Sequence, residues 1–296
     1  MAERPVTVTR MAGDRTGSAS YAALKTAGTV LLYLVLGFGA LLMIMPLVWM
    51  IATAMKPVEE TNLPEFYLIP SRFQLIENFQ SAFARIPLAT FFYNSVVVSV
   101  SATLGELVMA SLAGYSFARY TYPGRDALFL IVLSTLMIPF FVVVIPLYIV
   151  VHSFGWLNTY QALIIPGMVS AFGIFLMRQF IMTIPNELVD AGRIDGASEL
   201  TIFARIVMPL CMPAVATLAI FTFLQHWDSF VWPLLVVSRR GMFTVPLGLT
   251  FFQSEYLAFW NEQMAASLVA LAPTLSLFLI FQRYFVRGVV MTGLKG

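Results

Sequence analysis

The stretch Thr29–Ile51, TVLLYLVLGFGALLMIMPLVWMI, decides the fold class because its 23 residues include no charged side chain. An α-helix rises about 1.5 Å per residue, so this run would measure about 35 Å and could cross a hydrocarbon core of about 30 Å. The apolar part of a cleavable signal peptide is only about 7–15 residues long. The run therefore predicts a retained membrane-spanning helix.

Five further apolar blocks repeat this pattern along the chain, at Phe91–Ala118, Ala127–Val151, Tyr160–Met182, Pro213–Val237 and Gln263–Val286. Several of them contain proline. Neighbouring helices in a membrane bundle can satisfy the backbone groups that proline frees, so these prolines do not argue against helices. The sequence predicts an all-α membrane protein with six transmembrane helices.

The composition agrees with a lipid environment. Apolar residues make up 59% of the chain and charged residues only 11%, whereas soluble domains carry roughly 25% charged residues. A net charge of +2 and the lack of a dense basic cluster give no indication of nucleic-acid binding. Cys211 is the single cysteine, which excludes an intrachain disulfide and a thiolate metal site.

The distribution of lysine and arginine predicts that both termini are cytoplasmic, because cytoplasmic loops carry an excess of these residues. With that orientation, twelve of the 17 basic residues lie inside: Arg4, Arg10, Arg15, Lys25, Arg119, Arg125, Arg178, Arg193, Arg205, Arg283, Arg287 and Lys295. We expect a flexible cytoplasmic segment at 1–27, a six-helix domain at 28–287 and a cytoplasmic tail at 288–296.

Two connecting segments are long enough to have structure of their own. The outer loop, 52–90, contains a predicted short amphipathic helix with an apolar face formed by Leu75, Ile76, Phe79, Ala82 and Phe83. The inner loop, 183–212, reads TIPNELVDAGRIDGASELTIFARIVMPLCM. It is the most informative part of the chain.

The inner loop predicts a helix, a turn and a second short helix. Pro185 suits a first helical turn, and acidic residues at 187 and 190 suit the positive end of the helix. Asp195-Gly196 is a turn signal, and Ser198 can cap a second helix that ends near Pro209. The small residues 191, 192, 196 and 197 would let another protein approach, although small residues are also ordinary in turns.

This loop resembles the EAA loop of ABC importer permeases, in which E-A-A-x-x-x-G is followed after a spacer by I-x-L-P. Asp190-Ala191-Gly192, Gly196 and Pro209 match that pattern. Asp190 stands where the family has glutamate. Gly192 stands where it has a second alanine, which should weaken the helix by up to about 1 kcal/mol.

Other segments resemble the carbohydrate-uptake branch of this family, and in particular the second membrane subunit of maltose-type importers. They occur in the expected order on the six blocks: Asn94-Ser95, 118–124 (ARYTYPG), 155–159 (GWLNT), 227–234 (WDSFVWPL) and 282–296 (QRYFVRGVVMTGLKG). The resemblance extends from about Tyr33 to the C-terminus.

The resemblance implies a type I ABC importer permease fold in the inner membrane of a prokaryotic cell. It implies a second, non-identical permease, two ATPase subunits or domains that bind ATP and Mg, and an extracytoplasmic solute-binding protein. The residues expected to couple this chain to the ATPases are Glu187, Asp190, Ala191, Gly192, Asp195, Gly196, Ala197 and Pro209. No phosphate-binding loop surrounds any lysine of this chain, so we expect no cofactor and no ATP hydrolysis here.

Polar side chains within the predicted spans are candidates for the substrate pathway, because buried acids in membranes usually face protein or water. Phe221, Gln225, Asp228 and Trp232 recur at helical spacing and combine aromatic faces with hydrogen-bonding groups, as sugar sites do; Trp227 adjoins them. Glu106 lies among small residues that allow close helix packing. We therefore expect Glu106 to be an interhelical hydrogen-bonding group rather than a ligand.

Two other classes of protein remain as alternatives. An ion-coupled secondary transporter would have paired intramembrane charges and an inverted repeat, and neither is evident. A membrane enzyme would need a nucleophile with a base or clustered metal ligands, whereas His152 and His226 are isolated. Within the ABC class the substrate could also be a sugar-like compound such as a glycerophosphodiester, an amino acid or a peptide. Arg239 and Arg240 in the last outer loop could favour an anion, but solvated or docking charges are the simpler interpretation.

Overall fold

A computed structural model describes residues 15–62, 68–253 and 258–293, with side chains from residue 24 to residue 281. The chain forms two compact units, 1–52 and 53–296. In the described ranges it is helical apart from turns and one isolated antiparallel bridge between Gln253 and Ala258. The predicted all-helical class is confirmed.

The α-helices of the described ranges are numbered here in chain order. They are α1 (Arg15–Ala54), α2 (Val58–Thr61), α3 (Leu75–Arg85), α4 (Leu88–Arg119), α5 (Arg125–Ser134), α6 (Phe140–Ser153), α7 (Tyr160–Ile164), α8 (Ala171–Met182), α9 (Asn186–Ile194), α10 (Glu199–Ile202), α11 (Met208–Leu210), α12 (Met212–Trp227), α13 (Val231–Val236), α14 (Val245–Gly248) and α15 (Trp260–Gly293).

Three single helices are long and apolar enough to cross a membrane: Leu24–Ala54, Leu88–Arg119 and Trp260–Phe281. Helix α1 begins at Arg15, within the segment predicted to be flexible, where alanine, leucine and lysine favour helix. Helix α15 also continues past the predicted boundary at 287, to Gly293. The predicted first, second and sixth spans are therefore present with longer helices.

The other predicted spans are bent. Arg125–Met137 meets Phe140–Ser153 at 105°, and Tyr160–Gly167 meets Ala171–Met182 at 41°. The first bend falls at Pro139, which lacks the backbone donor that a continuous helix needs. The prediction of single straight blocks at Ala127–Val151 and Tyr160–Met182 is thus corrected to two pairs of shorter helices.

Contacts along α4 show that both bent pairs run its full length. The guanidinium of Arg125 donates to the carbonyl of Tyr120 (3.1 Å), just past one end of α4. At the other end, the Tyr160 hydroxyl donates to Asn94 Oδ1 (2.6 Å). The chain then returns along α8 to the carbonyl of Ile181, which accepts from Arg119 (2.7 Å). Each bent pair therefore counts as one crossing.

Helix α12 makes the next crossing beside α4. Its first turn follows Cys211, which is buried in the same cluster as Tyr115, and its last residue, Trp227, lies edge-on to Phe92 with ring centroids 5.4 Å apart. With α1 and α15, the count of six spans agrees with the sequence. Helix α12 is nevertheless only 16 residues long, and the predicted span Pro213–Val237 is completed by the turn at Asp228 and by α13.

The outer loop holds the predicted amphipathic helix, α3, but its buried face differs from the prediction. Asn78 and Ala82 are buried, whereas Ile76 and Phe83 are exposed. Asn78 donates to the carbonyls of Ala54 (2.9 Å) and Lys56 (2.8 Å) and accepts from Asn261 (2.8 Å). The amide of Asn78 and its hydrogen bonds therefore hold α3 in place, rather than the predicted apolar face. The spacing of apolar residues could not indicate this, because Asn78 is polar.

Candidate functional site

The segment 183–212 folds as two short helices joined by a tight turn. Helix α9 follows Pro185, and the turn contains Gly196 with φ of +78°, a left-handed conformation that favours glycine. The Ser198 hydroxyl accepts from the backbone of Thr201 (3.3 Å) and so caps α10, as the sequence predicts. The stretch Glu199–Leu210 then meets α12 at 79°.

Polar contacts fasten this segment to the ends of α4 and α8. Arg119 donates to the carbonyls of Ile181 (2.7 Å) and Ile184 (2.6 Å) and also binds Asn186. The carboxylate of Glu199 accepts from the hydroxyls of Tyr115 (3.1 Å) and Tyr120 (3.0 Å). These bonds connect the segment directly to the ends of α4 and α8.

Glu199 also forms an ion pair within the segment. Arg193 donates to Glu199 (2.7 Å) and to Asp190 (3.1 Å). The hydrogen bond with Glu199 is the main cause that raises the pKa of Arg193, while burial followed by the bond to Glu199 raises the pKa of Tyr120. The sequence pattern indicates Asp190 but not Glu199, because the role of Glu199 depends on tyrosines about 80 positions away.

One predicted docking residue faces inward. Gly192 is buried, and a Cβ there would lie 2.9 Å from Ile206 Cδ1 and 3.2 Å from Ile202 Cγ1. Its small size lets α9 pack on the following helices of the same chain. The expectation that Gly192 makes room for another protein is therefore wrong. Glycine stands here in place of the family's alanine because a Cβ would press on Ile206 and Ile202 of the same chain.

Most of the other predicted docking residues of the segment are exposed. Glu187, Asp190, Ala191, Asp195, Gly196 and Pro209 are exposed, and Ala197 is half-buried. Large apolar side chains accompany them: Ile194 is 86% exposed and Leu200 is 69% exposed, with Leu188 nearby along α9. Sequence analysis did not single these out, although adjacent Leu188 and Val189 cannot both face inward on one helix.

A cavity of about 390 Å³ lies between α4, α6, α7, α12 and α13, beside the residues that lead into α8. Its lining combines apolar residues with hydrogen-bonding side chains, namely Glu106, Ser170, Gln225, His226, Ser229 and Trp232. The breaks at Pro139, at 167–170 and at Asp228 all border this region. It is the candidate site for a small polar molecule, since such sites are mostly apolar clefts with a few placed polar groups.

Glu106 lies near the middle of α4 and is only 4% exposed. Its carboxylate accepts a hydrogen bond from the hydroxyl of Ser170, which caps α8 and in turn accepts from the backbone of Gly173 (2.9 Å). The carboxylate thus joins α4 to α8, as an interhelical group would. It also lines the cavity, which sequence analysis did not expect.

The predicted substrate stripe is not one helical face. Helix α12 ends at Trp227, and Asp228 lies beyond it in the turn. Trp227 is buried and donates to the carbonyl of Ala270 (3.0 Å), while Phe221 is exposed. Of the five predicted residues, Gln225 and Trp232 line the cavity; the indole of Trp232 is oriented by its bond to the carbonyl of Ala162 (2.9 Å).

Other residues of the cavity became recognisable only in the fold. The ring of His226 packs so closely on Gly167 that a Cβ on this glycine would overlap the imidazole. Among the described residues, no cluster of histidine, cysteine or acidic side chains could hold a metal ion.

These features define a helical integral membrane protein with up to six candidate spans, a mostly apolar cavity with a few polar groups, and an exposed helical segment joined to the ends of α4 and α8. Residues 106–290 match the family of binding-protein-dependent transport system inner membrane components. The chain belongs to this family, so it is an inner-membrane permease component of an ABC transport system. Family membership decides against the ion-coupled transporter and the membrane enzyme.

Curated relatives cover most of the chain. It is 37% identical to an arabinooligosaccharides transport system permease protein of Halalkalibacterium halodurans, over 92% of this chain and 99% of the relative. It is 32% identical to a lactose transport system permease protein of Rhizobium radiobacter, over 87% and 93%. A permease protein for sn-glycerol-3-phosphate from Escherichia coli is 34% identical over the same shares, 87% and 93%.

A solved structure supports the fold. A chain of a bacterial ABC transporter involved in import of the acidic polysaccharide alginate superposes with a TM-score of 0.77 at 17% identity, covering 93% of this chain and 100% of that one. The expected importer permease fold is confirmed.

Proposed function

We propose that this chain is one of two non-identical permeases of an importer for sugars or sugar-like compounds, driven by separate ATPase subunits. The relatives named for arabinooligosaccharides, lactose and sn-glycerol-3-phosphate support this substrate class. A solute-binding protein delivers the substrate on the outer side. ATP and Mg bind to the partner subunits, and this chain supplies part of the pathway.

The observation that carries the proposal is the exposed apolar face of the segment 183–212. Ile194 and Leu200 are largely exposed at the end of a segment that hydrogen bonds fasten to α4 and α8. Exposed apolar groups surrounded by charged ones are typical of a docking surface. The basic residues of the chain favour the cytoplasmic side for this surface, where the ATPases would be.

Coupling then follows from the contacts of Arg119 and Glu199. When the ATPases close, they displace α9, and these two side chains pass the movement to the span ends. The exposed residues Glu187, Asp190, Ala191, Asp195, Gly196 and Pro209, with the half-buried Ala197, form or border the docking surface, and Gly192 supports it from within. The 1–27 segment, the 28–287 domain and the 288–296 tail complete the proposed organisation.

The test is the ATPase activity of the complex purified by an affinity tag on this chain. We expect an ATPase to co-purify and its activity to rise when a sugar-loaded binding protein is added. The variant Ile194→Ser should lose this stimulation, because it removes an exposed apolar contact without disturbing the core.

The matched control is Ile69→Ser, which changes an equally exposed isoleucine (79% exposed) in the outer loop. It should leave docking of the ATPases unchanged. Purification of the chain without any ATPase, under conditions that keep known transporters intact, would overturn the proposal.

A further inference from the structure

The cavity beside Glu106 carries information on the charge of the substrate, which the relatives leave open. Among the described residues that line it, none is lysine or arginine, and one is a buried glutamate. Asp228 follows the lining residue His226 by two positions. A site for a phosphate or a carboxylate would need cationic donors instead.

The positive end of α8 also borders the cavity and would by itself attract an anion. Glu106 already occupies that position, because it is bonded to the capping residue Ser170 and lies beside Gly173, where a Cβ would be 2.8 Å from its Oε1. The carboxylate therefore offsets the helix end and adds repulsion toward a second anion. The cavity is partly open to solvent, so this repulsion is screened in part but still disfavours a second negative charge beside Glu106.

The remaining lining suits an uncharged sugar ring. The fixed indole of Trp232 with Phe140 and Pro166 supplies apolar surface, and Gln225, Ser229 and His226 supply groups that can exchange hydrogen bonds with hydroxyls. A volume of about 390 Å³ is near the lower end of the roughly 300–1,000 Å³ of small-molecule sites. It fits a single ring rather than a long oligosaccharide.

We propose that this cavity binds one uncharged sugar ring of the transported solute and that Glu106 makes it reject anionic solutes. The proposal rests on the proposed function and deepens it, since it assigns a substrate-selecting subsite to this chain. Glu106 then has two roles, as a bridge between α4 and α8 and as the charge that sets selectivity.

A thiol placed in the cavity tests this in the purified complex. Cys211 is the single native cysteine of this chain, so Cys211→Ala provides a background in which Ser229→Cys adds one cavity thiol. The rate at which N-ethylmaleimide labels this chain is measured at increasing concentrations of D-galactose, L-arabinose or D-glucose. At sugar concentrations about ten times the dissociation constant, we expect roughly tenfold slower labelling.

The paired probe is D-galacturonate, which has the ring of galactose and a carboxylate, and sn-glycerol-3-phosphate is a second anion. Neither should slow the labelling. With Glu106→Gln added, galacturonate should begin to protect the thiol, while galactose still protects it. A merely structural Glu106 would not change this preference, because glutamine keeps an acceptor oxygen for Ser170.

The control thiol is Ser81→Cys, exposed on α3 and outside the cavity, and no probe should slow its labelling. Failure of all three neutral sugars to protect Ser229→Cys would overturn the proposal, as would equal protection by galacturonate in the presence of Glu106. The ATPase response of the same preparations to loaded binding protein is read separately. If the sugars protect the thiol but loaded binding protein does not raise ATPase activity, the proposed function is rejected and the sugar site in the cavity is not.

Discussion

Side-chain amides hold the outer turns of this protein against α4. Asn94 donates to the carbonyls of Gly241 (2.9 Å) and Phe243 (3.0 Å), and the neighbouring Ser95 hydroxyl accepts from the backbone of Val245 (2.8 Å). Sequence analysis recognised Asn94-Ser95 as a motif of the family. The hydrogen bonds that explain this motif join residues about 150 positions apart, so they can be identified only in the folded chain.

Asn158 is a second such amide and adopts a positive φ of 59°. Its Oδ1 accepts from the backbones of Ser238 and Arg239, both at 2.7 Å. We expect Asn158→Ala to lower the melting temperature of the purified complex more than Asn158→Gly does. Both lose the hydrogen bonds, worth about 1 kcal/mol, but alanine alone adds about 1 kcal/mol of left-handed strain.

The control for Asn158 is Gln161→Ala, which removes an exposed amide three positions away and should leave the melting temperature nearly unchanged. If the alanine and glycine variants lower the melting temperature equally, the left-handed backbone conformation has no cost for alanine. The whole decrease would then come from the lost hydrogen bonds.

Residue types alone predicted part of the candidate site. Gln225 and Trp232 were identified because sugars need amides and aromatic faces, and both line the cavity. Trp227 met the same criterion, but its indole is used in packing on Phe92 and in a bond to Ala270. A side chain that can bind a sugar can equally pack a helix, and only the neighbours decide between the two.

At the scale of elements, apolar runs located the six crossings but not their breaks. The block Pro213–Val237 has no charged residue other than Asp228, yet its helix stops at Trp227. An apolar run shows that a segment lies in lipid or protein, whereas a break needs local backbone partners that the run does not encode. The breaks matter because the cavity lies beside them.

An ion pair joins α3 to α15, in addition to the hydrogen bond between Asn261 and Asn78. Arg85 forms a bidentate pair with Glu262, whose side chain is 8% exposed, and its guanidinium lies 3.7 Å from the ring centroid of Phe259. The hydrogen bond with Glu262 is the main cause that raises the pKa of Arg85. This pair joins residues 177 positions apart, so no sequence pattern predicted it.

We expect Arg85→Ala to destabilise the protein by about 2 kcal/mol, because it leaves the buried carboxylate of Glu262 without its partner; the 38% exposure of the Arg85 side chain makes the cost smaller than for a fully buried pair. The double variant Arg85→Ala with Glu262→Ala should be more stable than Arg85→Ala alone, since no unpaired charge remains. Thermal unfolding of the purified complex measures both. As a control, Arg72→Ala removes an exposed arginine just before α3 and should change little.

A double variant less stable than Arg85→Ala would contradict this account. It would mean that Glu262 contributes to stability through contacts other than Arg85, and that the docking of α3 does not depend on charge pairing.

At the scale of the whole molecule, the number of crossings fixes which surfaces share a side of the membrane. Between Ser81 and Asp195 the chain makes three crossings, by α4 and by the two bent pairs that run along it. An odd number puts these residues on opposite sides. If the pair with the 105° bend were instead a re-entrant hairpin, the number would be even and the two residues would share a side.

Labelling of single cysteines by a membrane-impermeant maleimide therefore tests the six-span count and the charge-based orientation together. In the Cys211→Ala background, Asp195→Cys and Thr292→Cys should react only in inverted vesicles, and Ser81→Cys only in intact cells whose outer barrier is permeabilised. Reaction of Ser81→Cys and Asp195→Cys from the same side would reject the crossing count. Opposite sides in the reversed sense would keep the fold but place the segment 183–212 outside, where an ATPase supplied with cellular ATP could not dock.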